Sequence, residues 1–372
     1  MDNPVISLYL NLTPPRNVSA ELNSMLHKVR MEIAEQFGKK QRKALDRVLE
    51  SIEQHFRENY DRPSGCRLVA LFADADGLWQ EHTLPVAMPS QIVVEPDTYT
   101  RPLIMLLEEF SHYCVLVCDS RKARIFSLYL EDFEEEPDIY LEDNVPDRVR
   151  VNRSRTIAGG NVQGGLGDEN IRHHIEDHIQ HHLKNTAARV FRMFRQKNFH
   201  RLILGGPENK IRQQFKNHLH SYLRRRLVGE FKVSPNDRDE VLRQKALETV
   251  HAWEREQEKA LIAELFEKNW ANGLGVLGIE PVLDALKMGQ VHTLVIEKDF
   301  RQNGTLCHQD RILSTYLATC PLCGRTMEKT ENLANYMVKE ALAQDAEIRH
   351  IFTEHEDFGH YKVGALLRFT LA

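Results

Sequence analysis

A glycine-rich loop that runs directly into a long amphipathic helix constrains this chain more than any other stretch. The loop holds five glycines between Gly159 and Gly167, so its backbone can enter a narrow site or approach a phosphate closely. Asp168 and Glu169 then predict the start of a helix. Apolar residues follow at the spacing of one helix face, at Ile171, Ile175, Ile179, Leu183, Ala187, Val190 and Phe194. One face of this helix is therefore predicted to belong to a protein core.

The opposite face of this helix carries basic and imidazole side chains, which is unusual for a helix that only supports a fold. These residues are Arg172, His173, His174, His178, His181, His182, Lys184, Arg189 and Arg192. RNA contact is the favoured interpretation, because imidazoles beside Arg and Lys suit phosphate contact and base stacking. Two alternatives stay open: an ordinary solvated face, and a metal ion shared by two of the histidines.

The charge of the chain is distributed unevenly. Residues 148–226 hold seventeen Lys and Arg against five Asp and Glu, a local balance of +12, so the remainder must carry -17 within a total of -5. Residues 131–147, just before this region, hold nine carboxylates and no Lys or Arg. A basic region inside an acidic protein favours a localised contact with a polyanion.

The chain shows no secretion or membrane signal. It begins with an acidic Met-Asp-Asn-Pro and contains no run of about eighteen apolar residues. Its six cysteines are too scattered for a disulfide framework. A reducing, cytoplasmic location is therefore expected.

Apolar periodicity divides the chain into three α/β domains, residues 1–108, 109–268 and 269–372. The first domain offers no convincing chemical motif. The middle domain is predicted to contain strands at 113–119, 123–130 and 201–204 and helices at 169–196, 207–226 and 234–266. The third is predicted to contain helices at 279–288 and 331–343 and strands at 291–296, 348–353 and 366–369.

The predicted helix 207–226 ends in three consecutive arginines, Arg224, Arg225 and Arg226. Complementing the dipole of its own helix explains one or two of these charges. Three in a row, in the domain that carries the glycine loop, favour contact with RNA phosphates.

A Cys-x-x-Cys pair with Pro inside it and Gly after it predicts a structural zinc site in the third domain. Cys320 and Cys323 form this pair, and Cys307 and His308 lie thirteen residues upstream and can supply the other ligands. The alternative is a single pair left over from a lost site. A redox role is disfavoured because no thioredoxin-like strand precedes the motif.

The order of these features resembles the archaeal and eukaryotic class-I peptide chain release factor and Pelota superfamily, and most closely its bacterial branch. The resemblance covers residues 111–372. Its signals are the strand pair before the glycine loop, the loop feeding a basic helix, Leu204-Gly205-Gly206-Pro207-Glu208 ending a strand, and the run 278–289 opening the last domain.

The resemblance implies a middle domain of RNase H-like topology and a C-terminal domain similar to Pelota-type RNA-binding α/β/α domains. It also implies a site. In the release factors a contiguous Gly-Gly-Gln loop enters the peptidyl-transferase centre and promotes attack of water on the ester of peptidyl-tRNA, by positioning water or stabilising the oxyanion. In this chain Gln163 is the candidate for that role, and Gly159, Gly160, Gly164 and Gly165 shape the loop, with Asn161 and Val162 between the first Gly-Gly pair and the glutamine.

The first domain lacks the Asn-Ile-Lys-Ser and Tyr-x-Cys-x-x-x-Phe patterns. In the family that the chain resembles, these patterns are typical of proteins that read stop codons. Three functions therefore remain for a protein that contacts the ribosome, ribosomal RNA and peptidyl-tRNA without reading a codon. The first is peptidyl-tRNA hydrolysis in ribosome rescue, and the second is non-catalytic occupation of idle ribosomes. The third, ranked last, is an RNA nuclease, for which Asp119 is the one well-placed carboxylate. A translational GTPase is a further candidate partner.

Overall fold

The structure is a computed structural model that describes residues 4–13, 18–58, 65–109, 111–129, 132–136, 141–142, 166–271 and 273–370. The chain divides into two units. Unit 1 combines Met1–Glu109 with Glu258–Ala372, and unit 2 is Phe110–Gln257. The division into three domains stays a prediction. No helix in the described ranges is long and apolar enough to cross a membrane.

The described residues form seventeen strands and ten helices. The strands are β1 Val5–Asn11, β2 Leu68–Ala73, β3 Trp79–Leu84, β4 Gln91–Glu95, β5 Tyr113–Cys118, β6 Lys122–Tyr129, β7 Asp132–Glu135, β8 Leu141–Glu142, β9 Arg201–Gly205, β10 Leu227–Phe231, β11 Gly275–Leu277, β12 Val291–Glu297, β13 Gly304–Cys307, β14 Ile312–Ser314, β15 Glu328–Thr330, β16 Glu347–Ile351 and β17 Val363–Leu367. The helices are α1 Val18–Gln36, α2 Lys39–Glu58, α3 Arg101–Glu109, α4 Leu166–Gln196, α5 Asn209–His218, α6 Ser221–Arg224, α7 Asp239–Ala271, α8 Ile279–Lys287, α9 Leu333–Ala343 and α10 Glu356–Gly359.

Unit 2 is built on one sheet in the order β10-β9-β5-β6-β7, with β8 beside β6. Strands β5, β6 and β7 pair antiparallel, whereas β5, β9 and β10 pair parallel. This mixed order agrees with the expected α/β class and RNase H-like topology of the middle domain.

Helices cover both faces of the unit 2 sheet. Because successive strand residues point to opposite faces, Leu116 of β5 packs with α4, α5 and α6, whereas its neighbour Val115 packs with α7. The sheet is therefore buried on both sides, which explains why β5 and β9 read as nearly continuous apolar runs.

Unit 1 contains two larger sheets. The first, in the order β3-β2-β1-β4, is entirely antiparallel and packs against α1 and α2. The second, in the order β11-β17-β12-β16, packs on α8 and α9 through one cluster and on the end of α7 through another. A small sheet, β14-β13-β15, follows β12 and carries the cysteines.

One buried arginine ties the start of α3 to the loop after β12 within unit 1. Arg101 is 1% exposed, and its guanidinium donates to the carbonyl oxygens of Phe300 (2.5 Å), Glu297 (2.7 Å) and Lys298 (3.0 Å). Buried guanidinium groups are stable only when their donors are satisfied, so these carbonyls explain how Arg101 is tolerated in the core.

The prediction of one helix at 207–226 is wrong. Leu219 adopts an extended conformation (φ -66°, ψ 134°) that ends α5, and His220 caps the N-terminus of the one-turn helix α6. The chain then forms β10, a strand that the apolar pattern did not predict.

Candidate functional site

The predicted catalytic loop lies outside the described residues. Gln163 and the glycines Gly159, Gly160, Gly164 and Gly165 all fall within residues 143–165. Their roles stay predictions. Arg172 and His174 belong to α4, but their side chains also lie outside the description.

Helix α4 buries one face against the sheet of unit 2. Leu183, Ala187, Val190 and Phe194 are at most 3% exposed and share a core cluster with Leu204 of β9. The apolar face predicted from the sequence is confirmed for these four positions.

The opposite face of α4 is exposed and basic. His178, His181, Lys184, Arg192 and Arg195 are all exposed, and their spacing of three or four residues, or multiples of it, puts them on one side of the helix. We call these five residues the basic stripe. The sequence predicted His178, His181, Lys184 and Arg192 on this face but left out Arg195. Arg189, another residue singled out, is only half-exposed beside the stripe.

His182 cannot contact RNA in this structure, so that part of the prediction is wrong. Its side chain is 0% exposed, as is that of Thr186 one turn later. Residues four apart advance by about 40° around a helix of 3.6 residues per turn. His174, His178 and His182 are four residues apart, so each lies further around the helix than the one before. His182, the third of them, therefore lies at the edge of the buried face.

The three consecutive arginines have three different environments. Arg224 donates to the carbonyl oxygens of Lys216 (3.1 Å) and Asn217 (2.8 Å), so it completes the C-terminal end of α5. The guanidinium carbon of Arg226 lies 3.6 Å from the ring centroid of Tyr222. Arg225 is exposed, and in the described part of the chain no carboxylate is bonded to it. Arg225 is therefore the arginine most available to a ligand.

Helices α4 and α5 lie side by side. Gln214 Nε2 donates to Glu176 Oε1 (2.8 Å), and His218 Nε2 lies 2.7 Å from Gln180 Oε1. The ring of Phe191 lies 4.6 Å from that of His220, at the cap of α6. Arg225 and the basic stripe thus belong to the same helical layer.

After the exposed Glu176 and Asp177 of α4, this helical layer is depleted of negative charge. Residues 178–229 contain twelve Lys and Arg and one carboxylate, Glu208. Glu230, just beyond, accepts from Arg212 (3.3 Å) and Lys216 (2.5 Å), which neutralises part of α5. The basic stripe has no such partner among the described residues, so its positive potential faces solvent.

Three cysteines and an aspartate converge on the small sheet. Ligand atoms of Cys307, Asp310, Cys320 and Cys323 all lie within 4.8 Å of one another, a group able to hold a metal ion. Asp310 Oδ2 accepts from Cys320 Sγ (3.0 Å) and Cys307 Sγ (3.5 Å), and the sulfurs of Cys307 and Cys323 are 3.6 Å apart. We call these four residues the cysteine cluster.

The chain forms a tight knuckle around the Cys-x-x-Cys pair. Gly324 N donates to Cys320 O (3.0 Å), Cys320 N donates to Arg325 O (2.8 Å), and Gly324 has a φ of +71°. A left-handed residue at this position is easiest for glycine, which explains the Gly after the motif. Both cysteines of the pair are thereby turned toward Cys307.

His308 was expected as a ligand, but the structure gathers Asp310 with the three cysteines instead. His308 Nε2 lies 3.0 Å from Glu328 Oε2, and the His308 side chain is 54% exposed. The missed signal was the spacing: Cys307 and Asp310 repeat the x-x spacing of Cys320 and Cys323.

Hydrogen bonds within the cysteine cluster run from protonated thiols to the carboxylate of Asp310. The hydrogen bond to Asp310 raises the pKa of the Cys323 thiol to about 12, and the bonds from Cys323 and Cys320 lower the pKa of Asp310. A divalent metal ion would replace these shared protons, because thiol ligands bind metals as thiolates.

Asp119, the carboxylate expected of a nuclease, caps a turn. Its Oδ1 accepts from the backbone N–H groups of Arg121 and Lys122, both at 2.8 Å. Two-metal nuclease chemistry needs several carboxylates together, and in the described ranges Asp119 belongs to no such group.

Two solved structures show low similarity to this chain. Archaeal Pelota, from a model of ribosome-bound Pelota and ABCE1, has a TM-score of 0.42 and 13% identity over 84% of this chain and 80% of that one. Dom34 of S. cerevisiae, described as a translation termination-like factor that interacts with Hbs1, has a TM-score of 0.42 and 9% identity, covering 79% and 74% of the two chains.

Sequence comparison gives distant relatives for most of the chain and a family for residues 99–255. The peptide chain release factor subunit 1 of Archaeoglobus fulgidus is 23% identical over 344 residues, which cover 88% of this chain and 76% of that protein. The corresponding factor of Methanococcoides burtonii is 22% identical over 358 residues, covering 88% and 82%. Residues 99–255 match the model of bacterial archaeo-eukaryotic release factor family 10. The segment 99–255 therefore belongs to the bacterial branch of the archaeal and eukaryotic release factors, and the chain is similar to archaeal release factors over 88% of its length.

Proposed function

We propose that this protein binds the ribosome through ribosomal RNA and hydrolyses the ester of peptidyl-tRNA in ribosome rescue, without reading a stop codon. The basic stripe of α4 carries the RNA-binding part of the proposal, because it is exposed, has no described acidic partner and lies within the family-matched residues 99–255. Arg225 extends this surface on the same helical layer. Positive side chains of this kind bind phosphate without regard to sequence.

In this proposal α4 anchors the middle domain on RNA while the preceding glycine loop reaches the peptidyl-transferase centre. Gln163 would position the attacking water there, and Gly159, Gly160, Gly164 and Gly165 would let the loop enter a site walled by RNA. The support for this part is the family match of residues 99–255, which include the loop, and the composition of the loop.

Occupation of idle ribosomes without catalysis is the alternative. One observation favours it: Asn161 and Val162 separate the Gly159-Gly160 pair from Gln163. If the loop only fills the site, the same RNA contacts would hold the protein while no ester is cleaved.

Release of labelled peptide from stalled ribosomes that lack a stop codon separates the two functions. Wild type and Gln163→Ala are compared, and co-sedimentation with ribosomes is scored in the same samples. Release that Gln163→Ala abolishes supports hydrolysis. Co-sedimentation without release supports occupation, and the absence of both signals refutes the ribosome as partner.

A matched pair of charge reversals tests the binding surface. Arg192→Glu changes the basic stripe, whereas Arg255→Glu changes an exposed arginine of α7, the helix on the other face of the sheet. Co-sedimentation should fall for Arg192→Glu and stay unchanged for Arg255→Glu. Equal loss in both variants would mean that only net charge matters. Adding a translational GTPase and a non-hydrolysable GTP analogue to this assay tests the second expected partner.

Zinc is the metal proposed for the cysteine cluster. Three thiolates and one carboxylate suit a four-coordinate, borderline-soft ion, and a closed set of four protein ligands is typical of structural rather than catalytic zinc. Zinc bound there would cross-link β13 to the knuckle. The apolar core of this small sheet does not provide such a link.

Metal content of the purified protein tests this assignment. Asp310→Asn should lower zinc occupancy, whereas His308→Asn should leave it unchanged. Loss of zinc from His308→Asn alone would restore the ligand set expected from the sequence.

A further inference from the structure

The cysteine cluster combines one half-buried thiol with two buried ones. Cys307 and Cys320 are 6% and 2% exposed, whereas Cys323 is accessible beside the exposed Leu322. We propose that the Cys307–Cys323 pair is an oxidation site, at which a hydroperoxide forms a disulfide and releases the metal. This inference rests on the proposed zinc, although the disulfide can be tested without it.

The geometry selects the pair that reacts. The sulfurs of Cys307 and Cys323 lie 3.6 Å apart, so they must approach by about 1.5 Å to reach the length of a disulfide. A Cβ placed on Gly324 would meet no atom within 4 Å, so the knuckle has open space on the side next to Cys323. A small shift of this turn would therefore meet no neighbour at Gly324.

Cys320 is held out of the reaction. It is nearly fully buried, and its main chain is tied on both sides, by Gly324 N to its carbonyl and by its own N–H to Arg325 O. Its sulfur lies 3.0 Å from Asp310 Oδ2. Cys320 is therefore expected to stay with Asp310 while the other two sulfurs join.

The chemistry balances with hydrogen peroxide as the oxidant. Held by zinc, Cys323 would be a thiolate; its sulfur then attacks one peroxide oxygen, the O–O bond breaks, and a sulfenic acid and a hydroxide form. The sulfur of Cys307 then attacks the Cys323 sulfur, the S–O bond breaks, and a second hydroxide leaves as the disulfide forms. Two thiolates lose two electrons, the peroxide gains them, and two protons from solvent convert the hydroxides to water.

Oxidation should release the metal because it removes two of the four ligands. Cys320 and Asp310 would remain, and two ligands are too few for a structural zinc site. Attack should begin at the accessible sulfur of Cys323, since oxidation of a cysteine follows both its thiolate character and its exposure.

The experiment uses the full-length protein. Zinc content is measured first, hydrogen peroxide is then added in steps, free zinc is followed with a chromogenic chelator, and the disulfide is located by peptide mapping under non-reducing conditions. The expected result is one zinc released for each Cys307–Cys323 disulfide, with recovery after addition of dithiothreitol. Cys66, which is 4% exposed and far along the sequence, serves as an internal thiol that should stay reduced.

Variants separate this proposal from the zinc assignment. Asp310→Asn should bind less zinc yet form the same disulfide, whereas Cys307→Ser should form none. If the protein is isolated without zinc and still forms the Cys307–Cys323 disulfide, the zinc assignment is refuted and the oxidation site is supported. The oxidation site is refuted if the disulfide joins Cys320 and Cys323 instead. It is also refuted if both the zinc and the thiols survive a tenfold excess of peroxide. If Cys307→Ser does not fold, disulfide mapping of the wild-type protein decides between these outcomes.

Discussion

Glu95, the last residue of β4, is a buried carboxylate with weak compensation. It is 7% exposed, and Asn335 Nδ2 lies 3.4 Å from its Oε2. Burial raises its pKa to about 7, against a smaller opposing effect of Lys339. The folded protein therefore holds a proton on Glu95 that the unfolded chain, with an ordinary glutamate, releases at lower pH.

The stability of the fold should depend on pH through this group. Because the folded-state pKa is the higher one, the contribution is fully present below about pH 4.5 and is lost as pH rises through about 7. The loss amounts to roughly 3 kcal/mol at most, since one pKa unit is worth about 1.4 kcal/mol. Urea unfolding of wild type and Glu95→Gln from pH 5 to pH 8 measures it.

As pH rises, the unfolding free energy of wild type should fall relative to that of Glu95→Gln. Glu354→Gln, a change of an exposed glutamate in the same unit, should show no such trend. A constant difference between wild type and Glu95→Gln across this range would contradict the assignment.

His181 and His182 are neighbours in sequence with opposite environments, which makes them a matched pair. His182 is fully buried and His181 is exposed on the basic stripe. His182→Ala should destabilise the protein by about 1 to 3 kcal/mol because it leaves a cavity, with RNA affinity retained in the folded fraction. His181→Ala should weaken RNA binding by about fivefold, equivalent to about 1 kcal/mol, without changing stability.

Urea unfolding and filter binding to ribosomal RNA read out both effects. The opposite pattern, with lost binding in His182→Ala and lost stability in His181→Ala, would mean that α4 is rotated about its axis from the orientation described above.

At the scale of elements, Gly206 sets how closely the end of β9 approaches β5. A Cβ on Gly206 would lie 2.7 Å from the carbonyl oxygen of Cys118, a backbone atom that cannot move aside. Gly206→Ala should therefore destabilise unit 2 by about 1 to 3 kcal/mol, as overpacking usually does. Gly38→Ala, where the new Cβ meets nothing within 4 Å, should leave the midpoint of urea unfolding nearly unchanged.

Equal midpoints for the two glycine variants would show that the β9 end can shift. Binding to ribosomal RNA by the folded fraction of Gly206→Ala should match wild type, because Gly206 is outside the basic stripe.

The apolar periodicity of the sequence predicted the buried face of a helix. It failed where contacts between residues far apart in sequence determine where a helix ends or which side chain is a ligand. The buried face of α4 follows from Leu183, Val190 and Phe194 alone. The break after α5 does not, because the apolar spacing continues through Leu219 and Leu223, while Arg224 satisfies the free carbonyls of α5 from outside that helix. Asp310 was missed although its spacing from Cys307 repeats that of the Cys-x-x-Cys pair, because carboxylates are common on surfaces and Asp310 stands out only once β13 and the knuckle bring three sulfurs to it.

At the scale of the whole molecule, the basic helical layer sits in an acidic protein. Residues 178–229 hold twelve Lys and Arg against Glu208, yet the entire chain carries -5. The remainder of the chain is acidic on average and repels a polyanion, so we expect RNA to be attracted chiefly to this layer. Binding should therefore weaken with salt in proportion to the phosphates that the layer contacts.

The salt dependence of ribosome binding measures that number directly. Each lost phosphate contact should reduce the slope of log affinity against log salt by about one. Replacing Lys184, Arg192 and Arg195 together by Ala should therefore reduce the slope by about three, with stability unchanged because all three side chains are exposed. The Arg255→Ala control should keep the wild-type slope, since α7 lies on the other face of the sheet. If the triple variant kept that slope too, the basic stripe would be a solvated face, and the contact with RNA would have to lie on another surface of the chain.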